Sequence, residues 1–351
     1  MIMSEPVVTT LIPTYRRPAL LARAIRSAQA QTYPDIRIAV FDNASGDETG
    51  DVVRTLAAAD PRITYHRHDT NLGLLGNYNF AMRHAATPYF SFLADDDILS
   101  PRFYEEALQG LEANPDAWFF AARTLIDNQV VGVRQLAGRS WRSGRYEPGV
   151  ETVLHMIAEH FIGTSCLFRT RIVDSIGVFE PCASDRNYVI VAAAKHPFIA
   201  AESIAVQFTI HRGSVSGGAV RDEEAPIALD ATYVLALHEE LDARLAAEGV
   251  LSGEDGARIR RAVWRKYRAD VWWAVLTKSF PARRTRDLAR FAAERKRYRF
   301  SAAEAMLLRL LTLVTRARPV HRAAAWMLAR AHRLLLLRQQ RDVPPLSEAA
   351  A

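Results

Sequence analysis

Two hydrophobic rhythms alternate along the first two hundred residues. Residues 7–12 form a β-branched apolar run that stops at Pro13, the pattern of a buried strand. From Pro18 the apolar positions Leu21, Ala24, Ile25 and Ala28 recur at helical spacing. Ile36, Ile38 and Val40 then alternate into Phe41-Asp42 as a second strand. Val52, Val53 and Leu56 make the apolar side of a helix that starts near Asp47 and Glu48. Ile63 and Tyr65 mark a short third strand, residues 75–85 a helix, and Tyr89-Phe90-Ser91-Phe92-Leu93 a fourth strand. This strand–helix order predicts an α/β fold: a mostly parallel sheet covered by helices on both faces. Farther on, residues 117–126 and 130–135 read as strands around a turn at Asp127-Asn128, residues 163–169 as another strand, and residues 182–195 as a helix. From residue 225 onward the pattern is helical, over 225–247 and 259–276. Pro281 and Ser301 punctuate it, and Pro319 separates two final helices.

Polar residues gather at the carboxyl ends of the expected strands, where open α/β sheets bind their ligands. The first strand releases into Pro13-Thr14-Tyr15-Arg16-Arg17, the second into Asp42-Asn43-Ala44-Ser45, and the fourth into Asp95-Asp96-Asp97. Ser100 suits an N-cap and Pro101 a first helical position, so a helix is expected directly after the aspartates. Aspartate is at home in such a turn. Three adjacent carboxylates nevertheless repel one another, and a divalent cation sharing its shell with water and a phosphorylated substrate explains them economically. There is no G-x-G-x-x-G and no P-loop, so a dinucleotide or P-loop enzyme is not supported.

Composition narrows the class. The chain has 351 residues, 49% of them hydrophobic, enough for one large domain and a smaller one. Its two cysteines, Cys166 and Cys182, argue against a disulfide scaffold and suit a reducing cytoplasm. Residues 1–20 lack a secretory pattern, and no stretch approaches the ~20 apolar residues of a membrane span. The net charge of +6 conceals a division: residues 250–351 carry 23 Lys+Arg against 8 Asp+Glu, the rest 22 against 31.

Taken in order, these motifs resemble the inverting glycosyltransferases of family 2, of the bacterial surface-polysaccharide type, which have a nucleotide-sugar-binding GT-A fold. Leu11-Ile12-Pro13-Thr14-Tyr15-Arg16-Arg17 is similar to the family's opening P-T-Y-N-R, and Gln31-Thr32-Tyr33-Pro34 to its Q-x-Y-P. Phe41-Asp42-Asn43-Ala44-Ser45-Gly46-Asp47-Glu48-Thr49 resembles V-D-D/N-x-S-x-D-x-T, Asn71-Leu72-Gly73 resembles N-x-G, and Asp95-Asp96-Asp97 resembles D-x-D. The resemblance spans residues 7–216 and fades beyond Gly218. It implies that Pro13, Thr14, Tyr15 and Arg17 line the nucleotide, and that Asp42 or Asn43 faces base and ribose. Asn71, Gly73 and Asn77 would approach base or diphosphate, Asp95 and Asp96 would bind ribose, and Asp97 would ligate Mg²⁺ or Mn²⁺. Asp185, in the Cys182–Tyr188 segment, stands where the family has its catalytic base, although a helix cap is the plain alternative. His211, in Thr209–Ser216, is expected to reach the metal or diphosphate. Arg16 replaces the usual Asn, and Asn43 stands where many uridine-dependent members have Asp. An amide both donates and accepts, which leaves the base less constrained.

The expected architecture is a catalytic domain over 1–218 and a basic helical region over 219–351. On the last helix Ala324, Leu328, Ala331 and Leu335 form one stripe. Arg322, Arg330, Arg333 and Arg341 lie roughly opposite, with Trp326 and Leu337 among them. That pattern fits a surface-lying helix on an anionic membrane, a homo-oligomer contact or simple packing; no nucleic-acid module accompanies it. The expected function is metal-dependent sugar transfer from a nucleoside-diphosphate sugar to a lipid-linked or surface-glycan hydroxyl, in the cytoplasm or on the inner face of its membrane. Absence of Q-x-x-R-W disfavours a processive synthase. The rivals are a non-catalytic glycosyltransferase-like scaffold and a sugar-nucleotide pyrophosphorylase, whose G-x-G-x-R loop is missing.

Overall fold

A computed structural model describes residues 7–179, 184–214, 231–276 and 285–339. Strands and helices alternate as β1 (Val8–Thr14), α1 (Pro18–Gln29), β2 (Ile36–Asp42), α2 (Thr49–Ala59), β3 (Ile63–Arg67), α3 (Gly73–Arg83) and β4 (Tyr89–Phe92). Then follow β5 (Ile98–Leu99), α4 (Phe103–Glu112), β6 (Phe119–Asn128), β7 (Val133–Ala137), β8 (Gly144–Tyr146) and α5 (Val150–Ala158). β9 (Cys166–Arg169), α6 (Ile172–Ile176), α7 (Asp185–Lys195) and β10 (Phe198–Ile210) complete the α/β part. The helical part comprises α8 (Ala231–Ala247), α9 (Gly253–Ala274), α10 (Thr285–Ala293), α11 (Ala302–Arg316) and α12 (Arg318–Gln339).

The sheet runs β3-β2-β1-β4-β9-β6-β10-β5, with β7 beside β6 and β8 beside β10. Its first four strands are parallel. Beyond β4 the pairings of β9 with β4 and β6, and of β10 with β5 and β8, are antiparallel. The parallel block is the part that the strand–helix alternation specified, because each parallel return needs a crossover helix.

Two local expectations are corrected. No helix opens at Ser100. Ile98 and Leu99 instead form β5, which pairs with Gln207 and Val206 of β10, and α4 starts at Phe103. The backbone after the aspartates is drawn into the sheet, which satisfies its amides sooner than a helix would. Asp127 and Asn128 likewise end β6 rather than forming the turn, and Asn128 O accepts from Gly132 N at 2.8 Å.

Two compact units emerge among the described residues: one built from residues up to Asp127 and from Gln135–Thr209, the other from Asn128–Arg134 and from Ile210 through the end of α12. The expected boundary at 218/219 lies outside the described residues, as do Cys182, Ser216, Pro281 and Arg341, and the side chains of Arg333, Leu335 and Leu337. The first unit's core joins Ile12, Leu21, Ile25, Val40, Val53, Leu93, Leu108, Phe120 and Val206. Within it the Tyr104 hydroxyl lies 2.6 Å from Thr10 Oγ1 and 2.5 Å from Ser91 Oγ, a buried chain that ties α4 to β1 and β4.

The second unit packs Tyr267, Val271, Leu288, Phe291, Tyr298, Phe300 and Leu308 together. Arg299 closes the turn after α10. Its N–H donates to Lys296 O at 3.2 Å, and Phe300 N–H donates to Arg295 O at 2.8 Å. That paired-bond pattern needs a left-handed residue, usually glycine, yet Arg299 adopts it at φ 56. The substitution costs roughly 1–2 kcal/mol of backbone strain. On α12, Ala324 and Leu328 pack toward this core, so that part of the stripe does not face outward, whereas Ala331 is exposed.

Tyr104→Phe removes a hydroxyl that two buried side-chain hydroxyls share. Leaving buried polar groups unpaired costs about 1–3 kcal/mol, so the variant is expected to unfold at lower urea with an unchanged denaturant slope. An unshifted midpoint would show that the chain of hydroxyls contributes nothing.

Candidate active site

Register brings the polar strand ends together. Leu11 stands opposite Phe92 and Thr14 opposite Asp42, so three residues past Leu11 and Phe92 come Thr14 and Asp95. Thr14 Oγ1 donates to Asp95 Oδ2 at 2.8 Å. Arg17 Nη1 reaches both Asp95 Oδ1 and Asp96 Oδ2 at 3.0 Å, and Arg23 donates to the Asp96 carbonyl at 2.7 Å. One guanidinium thus offsets the repulsion between two carboxylates. Burial works against the Arg17 charge, but Asp95 and Asp96 hold its pKa above the ordinary arginine value.

Asp97 is different. It is fully buried; Oδ1 accepts from Thr209 N at 2.9 Å, and Oδ2 has no hydrogen-bond partner. Burial, and then the neighbouring Asp96, push its pKa well above the usual carboxylate range. Burial also raises Asp95, with Arg17 opposing. An orphaned carboxylate oxygen in a buried cluster requires a cation or a proton. The donor set fits a divalent cation of the Mg²⁺ kind, which takes one or two protein carboxylates and completes its shell from water and phosphate. No cluster of three or more His, Cys, Asp or Glu side chains able to hold a metal occurs among the described residues.

Asp185 joins the same neighbourhood, since its charge contributes to the upward shifts of Asp97 and Tyr78. It is not the cap of α7. Ser184 caps that helix, its Oγ accepting from Asn187 N at 3.2 Å, and Asp185 is the first helical residue. Its carboxylate accepts from Gly163 N at 2.7 Å and from Arg186 N at 2.9 Å. A Cβ on Gly163 would lie 2.7 Å from Asp185 Cβ, so only glycine allows this approach. Burial raises the Asp185 pKa, and the Gly163 amide opposes it. Such a base is protonated more readily than an exposed aspartate.

The remaining candidates divide. Pro13 and Thr14 are buried at the end of β1; Tyr15 is half-buried beneath the Arg16 guanidinium, 4.9 Å from its ring centre. Asp42 is engaged internally: Oδ1 accepts from Ser45 N and Ser45 Oγ, and Oδ2 from Tyr65 at 2.6 Å. Asn43 donates to Asn71 Oδ1 and Gly73 O and accepts from Leu72 N, which folds the 71–73 loop over the end of β2. Asn71 Oδ1 also accepts from Gly73 N, at a glycine with φ 73. Asn77 is buried, donating to Phe41 O at 2.9 Å and lying 3.0 Å from His68 Nε2. His211 belongs to the second unit, where its Nδ1 accepts from Gly213 N at 3.1 Å. Tyr78, and the meeting of Gly163 with Asp185, were not apparent from the sequence; Gly163 falls in the 163–169 stretch read as a strand, whose first three residues form a 3-10 turn instead. A glycine beside a strand and a tyrosine between two asparagines carry no local signal of a carboxylate neighbour.

This carboxylate-lined edge on a Rossmann-like sheet is that of the GT-A fold. Residues 9–177, just under half of the chain, match the model of glycosyl transferase family 2, so this stretch is similar to that family of transferases. A Campylobacter jejuni GalNAc(5)-diNAcBac-PP-undecaprenol beta-1,3-glucosyltransferase is 38% identical over 95 residues, 27% of this chain and 31% of that protein. An uncharacterized Mycobacterium tuberculosis protein is 26% identical over half of this chain and 58% of its own length. The chain thus spans well under two thirds of these curated relatives. Among solved structures, S. aureus TarS 1–349 in complex with UDP-GlcNAc superposes with a TM-score of 0.62 at 12% identity, covering 93% of this chain and 91% of that one. The Pyrobaculum calidifontis mannosyltransferase PcManGT in complex with GDP-Man and Mn²⁺ gives 0.50 at 17%, covering 97% and 89%.

Asp97 is raised above its unfolded pKa, so the folded state holds that proton more tightly. Its contribution to stability is therefore lost as pH rises through that window. Asp97→Asn is expected to raise the thermal midpoint near neutral pH, with the gap closing toward pH 4, where the wild-type carboxyl is already neutral. A gap that does not change with pH would contradict this.

Proposed function

We propose that the first unit moves a sugar from a nucleoside-diphosphate sugar to an acceptor hydroxyl in one inverting displacement. The observation that carries this reading is Asp185: a buried carboxylate with a raised pKa, fixed by the Gly163 amide at the start of α7 and near enough to Asp97 for its charge to act there. A general base needs a fixed position and a proton affinity nearer neutrality than a free aspartate has. Asp185 would accept the acceptor's hydroxyl proton as that oxygen attacks the anomeric carbon from the face opposite the leaving diphosphate. The Thr14, Arg17 and Asp95–Asp97 edge would hold the donor. Bound Mg²⁺ or Mn²⁺, with Asp97 as its protein ligand, would supply charge neutralisation for the departing diphosphate. UDP-GlcNAc in TarS and GDP-Man with Mn²⁺ in PcManGT support a nucleotide-sugar donor. The C. jejuni relative, named for a PP-undecaprenol-linked acceptor, supports an acceptor carried on a lipid diphosphate.

Asp185→Asn is expected to keep Mn²⁺-dependent nucleoside-diphosphate binding by calorimetry while transfer falls by about 10²–10⁴. Asp97→Asn is expected to lose that binding. Full transfer by the Asp185 variant would place the base elsewhere, whereas a wild type that neither transfers sugar nor hydrolyses any nucleotide sugar would favour the scaffold reading.

A peripheral position on the inner face of the membrane is the localisation we favour. No helix among the described residues is long and apolar enough to cross a membrane. Met306, Leu310 and Leu313 on α11 and Trp326 and Met327 on α12 are all more than half exposed, and Arg322 and Arg330 are exposed on α12. Each basic residue near an anionic leaflet contributes on the order of 1 kcal/mol, and apolar side chains add a salt-resistant part. Arg322→Glu/Arg330→Glu is expected to weaken cosedimentation with anionic vesicles at low salt, and Leu310→Glu/Leu313→Glu to remove what survives high salt. A wild type that ignores vesicles yet elutes as an oligomer disrupted by either pair would make these helices a homo-oligomer surface.

A further inference from the structure

A groove of about 660 Å³ runs along α9 in the second unit, lined by Arg260, Arg261, Trp264, Arg265, Arg268 and Arg299. It lies wholly within this unit and shares no residue with the carboxylate edge. Five guanidiniums meet there around one indole, and no carboxylate lines it. Arg260 is paired with Asp242 at 3.0 Å and Arg268 with Glu304 at 2.8 Å. Arg261, Arg265 and Arg299 have no carboxylate partner among the described residues.

Two observations separate this groove from an ordinary solvated helix face. The opposite stripe of α9 (Ile259, Val263, Tyr267 and Val271) is buried, so the basic stripe is held in a fixed orientation, with like charges four residues apart at Arg261 and Arg265. Second, Arg299 occupies a left-handed backbone position that glycine fills without strain, and its guanidinium stacks 3.5 Å from the Trp264 ring centre. The strained residue thereby adds a charge, on an aromatic support, to a wall that already has four. Strain at an exposed position that brings a charge to a cluster is a mark of a binding site.

We infer that this groove is a second anion site that takes the phosphate groups of a phosphorylated ligand, separately from any donor bound at the carboxylate edge. Several uncompensated guanidiniums need a polyanion. Phosphate presents several charged acceptor oxygens to planar arginine forks, whereas a single carboxylate would neutralise one of them. The phosphates could belong to a water-soluble ligand or to a lipid headgroup.

Calorimetric titration of the full chain with inorganic pyrophosphate in EDTA, which removes divalent cations from the carboxylate edge, tests this directly. One equivalent is expected to bind, about tenfold or more weakly in Arg261→Gln/Arg265→Gln. Arg299→Gly is the second variant. It relieves the strained backbone, so its melting temperature is expected to hold or rise while pyrophosphate affinity falls several-fold. In a parallel arm, cosedimentation with phosphatidylglycerol vesicles that pyrophosphate competes away identifies a headgroup as the source. Pyrophosphate binding without such competition identifies a soluble ligand. Absence of pyrophosphate binding to the wild type, or equal binding by the wild type and both variants, overturns the assignment. Because EDTA and the variants leave Asp97 and Asp185 untouched, failure here would not bear on sugar transfer.

Discussion

Three carboxylates crowded at the end of one buried strand are the constraint around which the first unit is built. Charges removed from water must be matched, and the fold matches them unequally. Thr14 and Arg17 serve Asp95, Arg17 also serves Asp96, and the backbone amide of Thr209 serves one oxygen of Asp97. The other oxygen of Asp97 is left unmatched. A fold that neutralises two members of a cluster and leaves the third exposed to its neighbours' field keeps a place for an added positive charge. The cost falls on stability and the benefit on binding, as is usual where strain or unpaired charge collects at a site.

Asp185 shows the same economy in another form. Its helix is capped by the residue before it, so its carboxylate is released from capping and turned toward the Gly163 amide. The closeness of that approach rests on one missing side chain. A cluster of negative charge at the strand ends, a buried carboxylate whose charge acts on it, and a sheet of the GT-A kind are the features on which the proposed glycosyl transfer rests. The residues expected at the nucleotide are held differently: Asp42, Asn43 and Asn77 use their hydrogen-bonding capacity on the backbone around them.

The charge asymmetry of the chain has a structural counterpart. The excess of arginine after residue 250 is not spread evenly: α9 gathers it along one face with Arg299, while α11 and α12 present apolar side chains beside scattered arginines. These are two chemistries, a polyanion groove and an amphipathic surface, on one helical unit.

Much of this was determined by the sequence alone. The alternating periods specified β1 through β4 and their crossover helices, because a buried parallel strand and an amphipathic helix leave different spacings of apolar residues. The strand ends marked Thr14, Arg17, Asp95 and Asp97 as candidates, since strand ends in such sheets converge, and the family resemblance added Asp185. What the sequence could not supply was partnership across distance. That Arg17 spans Asp95 and Asp96, that Asp97 keeps an unmatched oxygen, and that Gly163 meets Asp185 depend on residues tens of positions apart, and only register and packing bring them together. The antiparallel extension and β5 were hidden for the same reason: Ile98 and Leu99 are too few to show a period, and their strand exists because β10 passes alongside. Arg299 on Trp264 is the extreme case, an ordinary arginine in sequence that became informative only through its backbone angle and its neighbour.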